Sequence, residues 1–344
     1  MSSTTELFVG GMFGRERAAT VSRGLEGLLG ERASLWVNGR SAIREIALRV
    51  LPRRIWLPNY ACSSLRAAIA DLRHTAVEHY PVTRALLPDN EVAQRVAPDD
   101  LVVVIDYFGF PIGCEFLDRC RRSGALILED ACGALFRRPA DSLADFLVRS
   151  PRKFVGVPDG GILNVIRDGL PECVPAAPPP SRWQRRSIEA FERRSLFDAG
   201  DSDRSWFDLF QEVERDQPCG PFGMSPAAIE LLQSIDVASI TARRRHNYEI
   251  LLEQLSAWAL FPRLPDGVVP LGFPLLCPDR EPLQRRLHQR QIYAAVHWRL
   301  GDPPPQSPEV IRELAACQLT IPCDQRLDAD TMRAIAGIVR QELS

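Results

Sequence analysis

The sequence predicts an α/β fold: a large domain with a mostly parallel central sheet covered by helices, followed by a smaller C-terminal α/β domain. Short, nearly continuous apolar runs at Arg54 to Leu57, Leu101 to Ile105 and Ala125 to Leu128 alternate with segments of helical periodicity. This alternation is typical of parallel strands that are buried on both faces. The chain has 344 residues and 45% apolar content, which is enough for two such units.

A helix is predicted from Ser41 to Val50, where apolar residues recur at helical spacing. Gly39 provides a flexible turn before it, and Ser41 is the expected N-cap. A helix start of this kind offers free backbone N–H groups and the positive end of a dipole, which suits a phosphate. Most such helix starts bind nothing, so an ordinary turn is the alternative.

The middle of the chain predicts a hairpin next to the parallel strands. The segment from Asp145 to Leu163 has the pattern of a strand, a loop and a second strand. The consecutive glycines after Asp159 mark a tight turn. The loop carries Ser150 and Lys153, so any chemistry of these side chains is expected beside the sheet.

The second half of the chain begins after a run of prolines at 175 to 180. The segment from Ser181 to Glu214 is rich in arginine, glutamate and aromatic residues, and we expect an exposed or interface-forming helical region there. A long helical stretch is predicted from Ser225 to Leu255. These patterns divide the chain into a large domain over residues 1–235 and a small domain over residues 236–344.

Composition excludes several classes of protein. The net charge of −2 gives no bulk electrostatic case for nucleic acid or an anionic membrane. The nine cysteines form no CxxC pair and no metal-site spacing, so we expect reduced thiols, a cytoplasmic location and no metal site. The sequence has no run of 18 apolar residues, which is about the length needed to span a membrane. The N-terminus lacks the pattern of a signal peptide.

One lysine stands out among the basic residues. Of the 42 lysines and arginines, 41 are arginine and one is Lys153. Arginine can replace lysine where only a cation is needed, but not where a nucleophilic amine is needed. A retained lysine therefore points to amine chemistry such as a Schiff base. Chance survival of one lysine in a GC-rich gene is the alternative.

The neighbours of Lys153 suit a site for pyridoxal 5′-phosphate (PLP). Phe154 and Val155 predict partial burial, which would lower the pKa of the lysine and free its amine. A carboxylate that protonates the pyridine nitrogen is also required. Glu129 and Asp130 follow an apolar strand, only one of them can face a pocket, and a helix N-cap is an alternative role.

The remaining requirements of such a site are a phosphate seat and a surface for the ring. Gly39, Ser41 and Ser150 are the candidates for the phosphate, although an ordinary turn serine is the favoured interpretation of Ser150 taken alone. Tyr60 and Cys62 are the candidates that could lie against the ring, and core packing is their alternative.

These residues together resemble the DegT/DnrJ/StrS-type sugar aminotransferases, a family of fold-type-I PLP enzymes in the aspartate aminotransferase superfamily. The resemblance runs in order along nearly the whole chain, and its most specific part is the block around Lys153. The matching stretches are Asn38 to Ala42, Leu57 to Cys62, Asp106 to Pro111, Leu128 to Ala131, Ser150 to Gly161, Arg244 to Tyr248, His297 to Arg299 and Leu319 to Gln325.

The resemblance implies roles for individual residues. The lysine that forms the cofactor aldimine falls on Lys153, and the pyridinium carboxylate falls on Asp130 and not on Glu129. The phosphate-binding turn falls on Gly39, Arg40 and Ser41, with Ser150 as the serine before the lysine.

Three positions depart from the family pattern. Gly133 stands where the family usually has histidine or glutamine, and Cys62 stands where its ring-stacking aromatic falls. Arg40 replaces a small residue in the phosphate turn. These departures bear on the tuning of the cofactor, whereas retention of Lys153 argues against the sugar dehydratases in which that lysine is histidine.

The resemblance implies an aminotransferase that moves an amino group from an amino acid, with glutamate expected, to a nucleotide-linked keto-sugar. His297, Trp298 and Arg299 are the substrate-side candidates, with a surface loop as their alternative. The fold type also implies a homodimer with shared active sites. The alternatives are non-transamination PLP chemistry on a non-sugar amine and a non-catalytic regulatory protein.

Overall fold

A seven-stranded sheet forms the centre of the computed structural model, which describes residues 8–16, 26, 28–298, 300 and 308–343. In chain order the strands and α-helices are β1 Val9–Gly10, β2 Ala33–Trp36, α1 Gly39–Val50, β3 Arg54–Pro58, α2 Ser63–Ile69, β4 Ala76–Tyr80, β5 Asp100–Ile105, α3 Cys114–Arg122, β6 Leu126–Ala131, β7 Phe146–Arg149, β8 Gly161–Val165, α4 Ser181–Asp198, α5 Trp206–Arg215, α6 Pro226–Gln233, α7 Val237–Leu255, β9 Phe273–Leu276, α8 Arg280–Gln289, β10 Ile292–Tyr293, α9 Glu309–Cys317, β11 Gln318–Ile321 and α10 Ala329–Leu343.

The central sheet is mostly parallel, as predicted. Its strand order is β2-β8-β7-β6-β5-β3-β4, and only β8 runs against its neighbours. The three predicted apolar strands are β3, β5 and β6, and the predicted hairpin is β7 with β8. All six residues of β5 are buried, which explains its continuous apolar pattern. The mostly exposed edge strand β4 was not predicted, because its sequence lacks such a run.

Two helix boundaries differ from the predictions because other residues cap the helices. Helix α1 begins at Gly39, and its N-cap is Asn38, whose side chain accepts a hydrogen bond from Ser41 N at 2.9 Å. The helical stretch after residue 225 consists of two helices, α6 and α7. Ser225 caps the first and Asp236 caps the second. None of the described helices combines the length and the apolarity that crossing a membrane requires.

The C-terminal part of the chain has its own core and two small sheets. β9 pairs antiparallel with β11, and Tyr248, Leu319 and Met332 are fully buried in the core around them. The N-terminal strand β1 pairs in parallel with β10, and Val9 is buried in this same core. β1 therefore packs with the C-terminal core although it lies within the predicted large domain, and the division at residue 235 stays a prediction.

The aromatic residues of the segment 181–214 are largely covered by this chain itself. Trp183, Phe191 and Trp206 are buried, and among the six aromatic residues of this segment only Phe207 is exposed, at 48%. The guanidinium of Arg194 lies 4.5 Å from the centre of the Trp206 ring. Most of these aromatic side chains therefore need no second chain to cover them, since α4 and α5 pack on each other. The homodimer itself stays a prediction.

Candidate active site

A cavity of about 510 Å³ lies at the carboxyl edge of the parallel strands. The ends of β5 and β6 contribute Asp106 and Asp130, and Ser150 follows β7. His297 and Thr320 from the C-terminal part of the chain line the opposite side. Parallel sheets place ligands at this edge, because the loops that follow the strands converge there.

Most of the residues predicted for a site meet in this cavity. Those that line it are Gly39, Arg40, Cys62, Asp130, Gly133, Ser150, Lys153, His297 and Trp298. Ser41 and Tyr60 do not line it, and Arg299 lies outside the described residues. Residues separated by more than 250 positions in sequence are thus brought together around one lysine.

Ser41 and Tyr60 have structural partners instead. The Ser41 side chain is 1% exposed, and its hydroxyl accepts a hydrogen bond from Gly220 N at 3.3 Å. Tyr60 is fully buried, and its hydroxyl accepts a hydrogen bond from Trp298 N at 3.1 Å. The Tyr60 ring meets the Trp298 ring edge-on, with 5.4 Å between their centres. Tyr60 therefore supports a cavity residue from behind.

Lys153 ends a short 3₁₀ turn, Pro151–Lys153, directly after β7. The exposed surface of the Lys153 side chain faces the cavity. Phe154 and Val155 are fully buried, as the sequence predicts. The main chain at Lys153 is therefore anchored in the core while its amine stays accessible to a ligand.

The acid–base behaviour of Lys153 differs from the prediction. The protein that surrounds the amine partly desolvates it and acts to lower the pKa of Lys153, but the anionic forms of neighbours such as Cys132 and Asp130 act to raise it, and the net pKa is raised. The expected lowering is therefore wrong, because anionic neighbours favour the ammonium form. Burial also raises the pKa of the Cys132 thiol well above its ordinary value.

The two adjacent acids of β6 face opposite sides of the sheet. Strand β6 extends to Ala131, so Glu129 and Asp130 both lie within it and their side chains alternate. Asp130 lines the cavity, and its Oδ1 accepts a hydrogen bond from Cys132 N at 3.1 Å. Glu129 is 2% exposed and accepts hydrogen bonds from Arg137 Nε, at 2.9 Å, and from the Ser142 hydroxyl.

The start of helix α1 borders the cavity and carries one unpartnered hydrogen-bond donor, Arg40 Nε. The Nε of Arg40 is buried and has no partner among the described residues, whereas Arg40 Nη2 donates to Gln217 Oε1 at 3.3 Å. Gly39 is required here, since a Cβ would lie 2.6 Å from Cys132 Sγ. The Ser150 hydroxyl lies close by in the same cavity and donates to Gly160 O at 3.4 Å.

Sequence reasoning missed the contribution of helix α5 and the segment after it. Phe210, Glu214 and Gln217 line the cavity. Glu214 accepts a hydrogen bond from Arg152, which also lines the cavity. The charge of Arg152 is thereby compensated within the chain. The two partners lie 62 residues apart, and no local pattern links them.

Arg244 and Gln325 belong to two of the stretches that resemble the family, and both bind the main chain next to Lys153. Arg244 is fully buried, and its Nη2 donates to the Phe154 carbonyl at 2.9 Å. Gln325 Nε2 donates to the same carbonyl at 2.8 Å, and Gln325 Oε1 accepts from Arg244 Nε at 2.8 Å. The residue next to Lys153 is therefore held by two elements of the C-terminal part of the chain.

The C-terminal side of the cavity carries an uncharged histidine. Burial and the positive charge of Lys153 together lower the pKa of His297 to about 4. The His297 backbone N–H donates to Gln318 Oε1 at 2.8 Å, and its Nδ1 lies 2.9 Å from Thr320 Oγ1. The Phe108 ring meets the imidazole edge-on, with 5.6 Å between their centres.

Comparison with known proteins gives a structural match without a sequence match. No family model matches the chain, and no curated protein matches it significantly. A DegT DnrJ EryC1 StrS aminotransferase from Brucella abortus is 14% identical with a TM-score of 0.64, over 91% of this chain and 86% of that chain.

Two further solved structures carry ligands in their descriptions. DesI, solved in the presence of its TDP-sugar product, is 18% identical with a TM-score of 0.63, over 90% of this chain and 80% of that chain. NtdA from Bacillus subtilis, with bound cofactor PMP, is 12% identical with a TM-score of 0.63, over 90% and 73% of the two chains. At these identities the likeness establishes architecture, and the chain has the fold of the DegT/DnrJ/EryC1/StrS-type aminotransferases.

Proposed function

We propose that the protein is a PLP-dependent aminotransferase that holds its cofactor covalently on Lys153. The observation that carries the proposal is the meeting of the sole lysine with Asp130 in one cavity at the carboxyl edge of the sheet. The fold shared with aminotransferases, one of them with bound PMP, supports it.

The donors and charges of the cavity fit this cofactor. The phosphate would lie at the start of α1, where the helix dipole and the unpartnered Arg40 Nε offer positive charge and a hydrogen-bond donor, and where Ser150 lines the same cavity. The pyridine nitrogen would lie against the Asp130 carboxylate. When bound, PLP supplies an electron sink for reactions at the carbon next to an amine.

Asp130 and Lys153 would have different acid–base roles. Asp130 would keep a proton on the ring nitrogen through a charge-assisted hydrogen bond. Lys153 Nζ would take a proton from the substrate carbon and return it nearby as a general acid and base. Its raised pKa means that the free amine rests protonated, so it must pass on a proton before it can react as a nucleophile.

The substrates are proposed from resemblance and from the cavity. We infer an amino acid donor such as glutamate and a nucleotide-linked keto-sugar as acceptor, which the TDP-sugar product of DesI supports. His297 and Trp298 line the side of the cavity opposite the sheet and are the proposed substrate contacts. A homodimer with shared sites and a cytoplasmic location belong to the same proposal.

A second candidate is PLP chemistry other than transamination on a non-sugar amine. The observation that favours it is the lining of the cavity by Cys62 and Gly133, which differ from the family pattern. The same cofactor attachment serves both candidates. A half-reaction with an amino donor separates them, because only a transaminase would convert the bound cofactor stoichiometrically to its pyridoxamine form.

Borohydride reduction tests the cofactor claim directly. After incubation with PLP, reduction and proteolysis, mass spectrometry should find the cofactor on the one lysine-containing peptide. Lys153→Arg, which keeps the charge and removes the reactive amine, should show neither the modified peptide nor the visible absorbance of the linkage. An unmodified Lys153 peptide from PLP-treated wild-type protein would refute the proposal.

A further inference from the structure

The hydrogen bonds around His297 form a closed ring whose directions follow from donor chemistry. The His297 backbone N–H can only donate, and its partner at 2.8 Å is Gln318 Oε1. The orientation of the Gln318 amide is thereby fixed, and its Nε2 lies 2.7 Å from Thr320 Oγ1. An amide NH₂ group can only donate, so the Thr320 oxygen accepts this bond.

The Thr320 hydroxyl has one proton left to donate. Its other side-chain contact within the described part of the chain is His297 Nδ1, at 2.9 Å. Gln318 and Thr320 are 0% and 4% exposed, so bulk water offers little competition for this proton. The ring is fully satisfied when Thr320 donates to Nδ1. A neutral imidazole whose Nδ1 accepts carries its own proton on Nε2.

The opposite edge of the imidazole is available to a ligand. The hydrogen bonds of His297 within the described residues engage its backbone N–H, its carbonyl and Nδ1, but not Nε2. His297 lines the cavity that contains Lys153, and the nearby positive charge of Lys153 disfavours a second positive charge on the ring. The histidine therefore presents one neutral donor to the cavity.

We propose that Gln318 and Thr320 are positioning residues that lock His297 as its Nε2–H tautomer, so that His297 donates a hydrogen bond to a hydroxyl or carbonyl oxygen of the molecule held at Lys153. The ligand contact rests on the proposed function, whereas the tautomer does not. The role assigned to His297 is that of a neutral donor that selects for an acceptor oxygen, and not that of a cation or a general base.

Nitrogen NMR of the full-length protein with ¹⁵N-labelled histidine reads the tautomer without any ligand. The chain has five histidines, and His297→Gln identifies the signals of His297. Near neutral pH, Nδ1 should have the shift of an unprotonated ring nitrogen and Nε2 that of a protonated one. Thr320→Val should abolish this preference and Thr320→Ser should restore it. A protonated Nδ1 in the wild-type protein would overturn the inference.

Ligand binding tests the donor role and identifies which molecule supplies the oxygen. The probes are the affinity for PLP and the KM for glutamate in the half-reaction. His297→Leu should weaken one of them by roughly threefold to tenfold, the range for one neutral hydrogen bond left unmade, and His297→Gln should recover much of the loss. A change in PLP affinity assigns the oxygen to the cofactor, and a change in KM alone assigns it to the substrate.

Failures of the two proposals are distinguishable. If neither probe changes in His297→Leu although PLP binds to Lys153, the donor role is wrong and the proposed function stands. If PLP does not bind to the wild-type protein, the proposed function is wrong, and the NMR experiment alone decides whether the tautomer is locked.

Discussion

The two sides of the cavity differ in the kind of interaction they offer. The side formed by the sheet is ionic, with Lys153, Asp130 and Arg40. On the side formed by the C-terminal part of the chain, His297 and Thr320 form a neutral pair linked by a hydrogen bond, and the carboxylate of Asp324, which also lines the cavity, is paired with Arg326. The difference separates two tasks: charges bind an anionic cofactor and move protons, whereas neutral donors discriminate between substrate oxygens.

The two sides also differ in how they are built. The ionic residues follow strands or lie at the start of a helix, and the loops at the carboxyl edge of the sheet bring them together. The neutral residues come from β11 and from the chain after β10, and hydrogen bonds between these two segments orient them. Changes on the ionic side should therefore affect the chemistry most, and changes on the neutral side should affect recognition.

The largest effect among these tests is expected for Asp130. Asp130→Asn should leave PLP bound and reduce turnover by roughly a hundredfold or more, because the ring nitrogen loses the carboxylate that keeps it protonated. Glu129→Gln is the matched control, since Glu129 lies on the opposite face with Arg137. Single-turnover kinetics with an amino donor measures both variants. A larger loss of activity in Glu129→Gln would show that the wrong carboxylate is assigned.

A smaller effect is expected for Arg40, the cavity arginine without an ion-pair partner among the described residues. Arg40→Gln should weaken PLP binding about tenfold, because a charge-assisted hydrogen bond to the phosphate is lost. Binding of pyridoxal, which lacks the phosphate, should not change. Titrations followed by visible absorbance compare the two ligands. Equal losses for both would place Arg40 elsewhere in the site.

The smallest expected effect is that of Asp106 on the free energy of unfolding. Burial, reinforced by the charge of Glu129, raises the pKa of Asp106 well above its ordinary value. The folded state therefore binds this proton more tightly than the unfolded state, and the associated stability is lost as pH rises above the ordinary carboxyl pKa. Asp106→Asn removes this dependence.

We expect Asp106→Asn to gain about 1 kcal/mol in free energy of unfolding at pH 8 relative to wild type, with a smaller gain at pH 5. Urea denaturation at the two pH values measures both. The reverse trend, with a larger gain at pH 5, would mean that Asp106 is ionised in the folded protein and paired with Arg137, 3.9 Å away.

The charged residues of the cavity were largely predictable from the sequence, and His297 and Trp298 were suggested by the resemblance, but the hydrogen bonds that orient His297 were not predictable. Lys153 is the sole lysine, and Asp130 follows an apolar run, so composition and strand pattern identify both. The choice between Asp130 and Glu129 needed the resemblance, because the strand extends through both residues.

The remaining features depend on contacts between distant residues. The pairing of Arg152 with Glu214 and the ring of Gln318, Thr320 and His297 have no local periodicity that could reveal them. The raised pKa of Lys153 was missed because burial and neighbouring charge oppose each other, and only three-dimensional distances decide which is larger.

The double hydrogen bond on the Phe154 carbonyl has a mechanical consequence. Arg244 belongs to α7 and Gln325 follows β11, yet both attach to the peptide that adjoins Lys153. A displacement of the C-terminal core against the sheet would therefore pull on the turn that carries the amine. The position of the reactive nitrogen is therefore coupled, through these two hydrogen bonds, to the position of the C-terminal core.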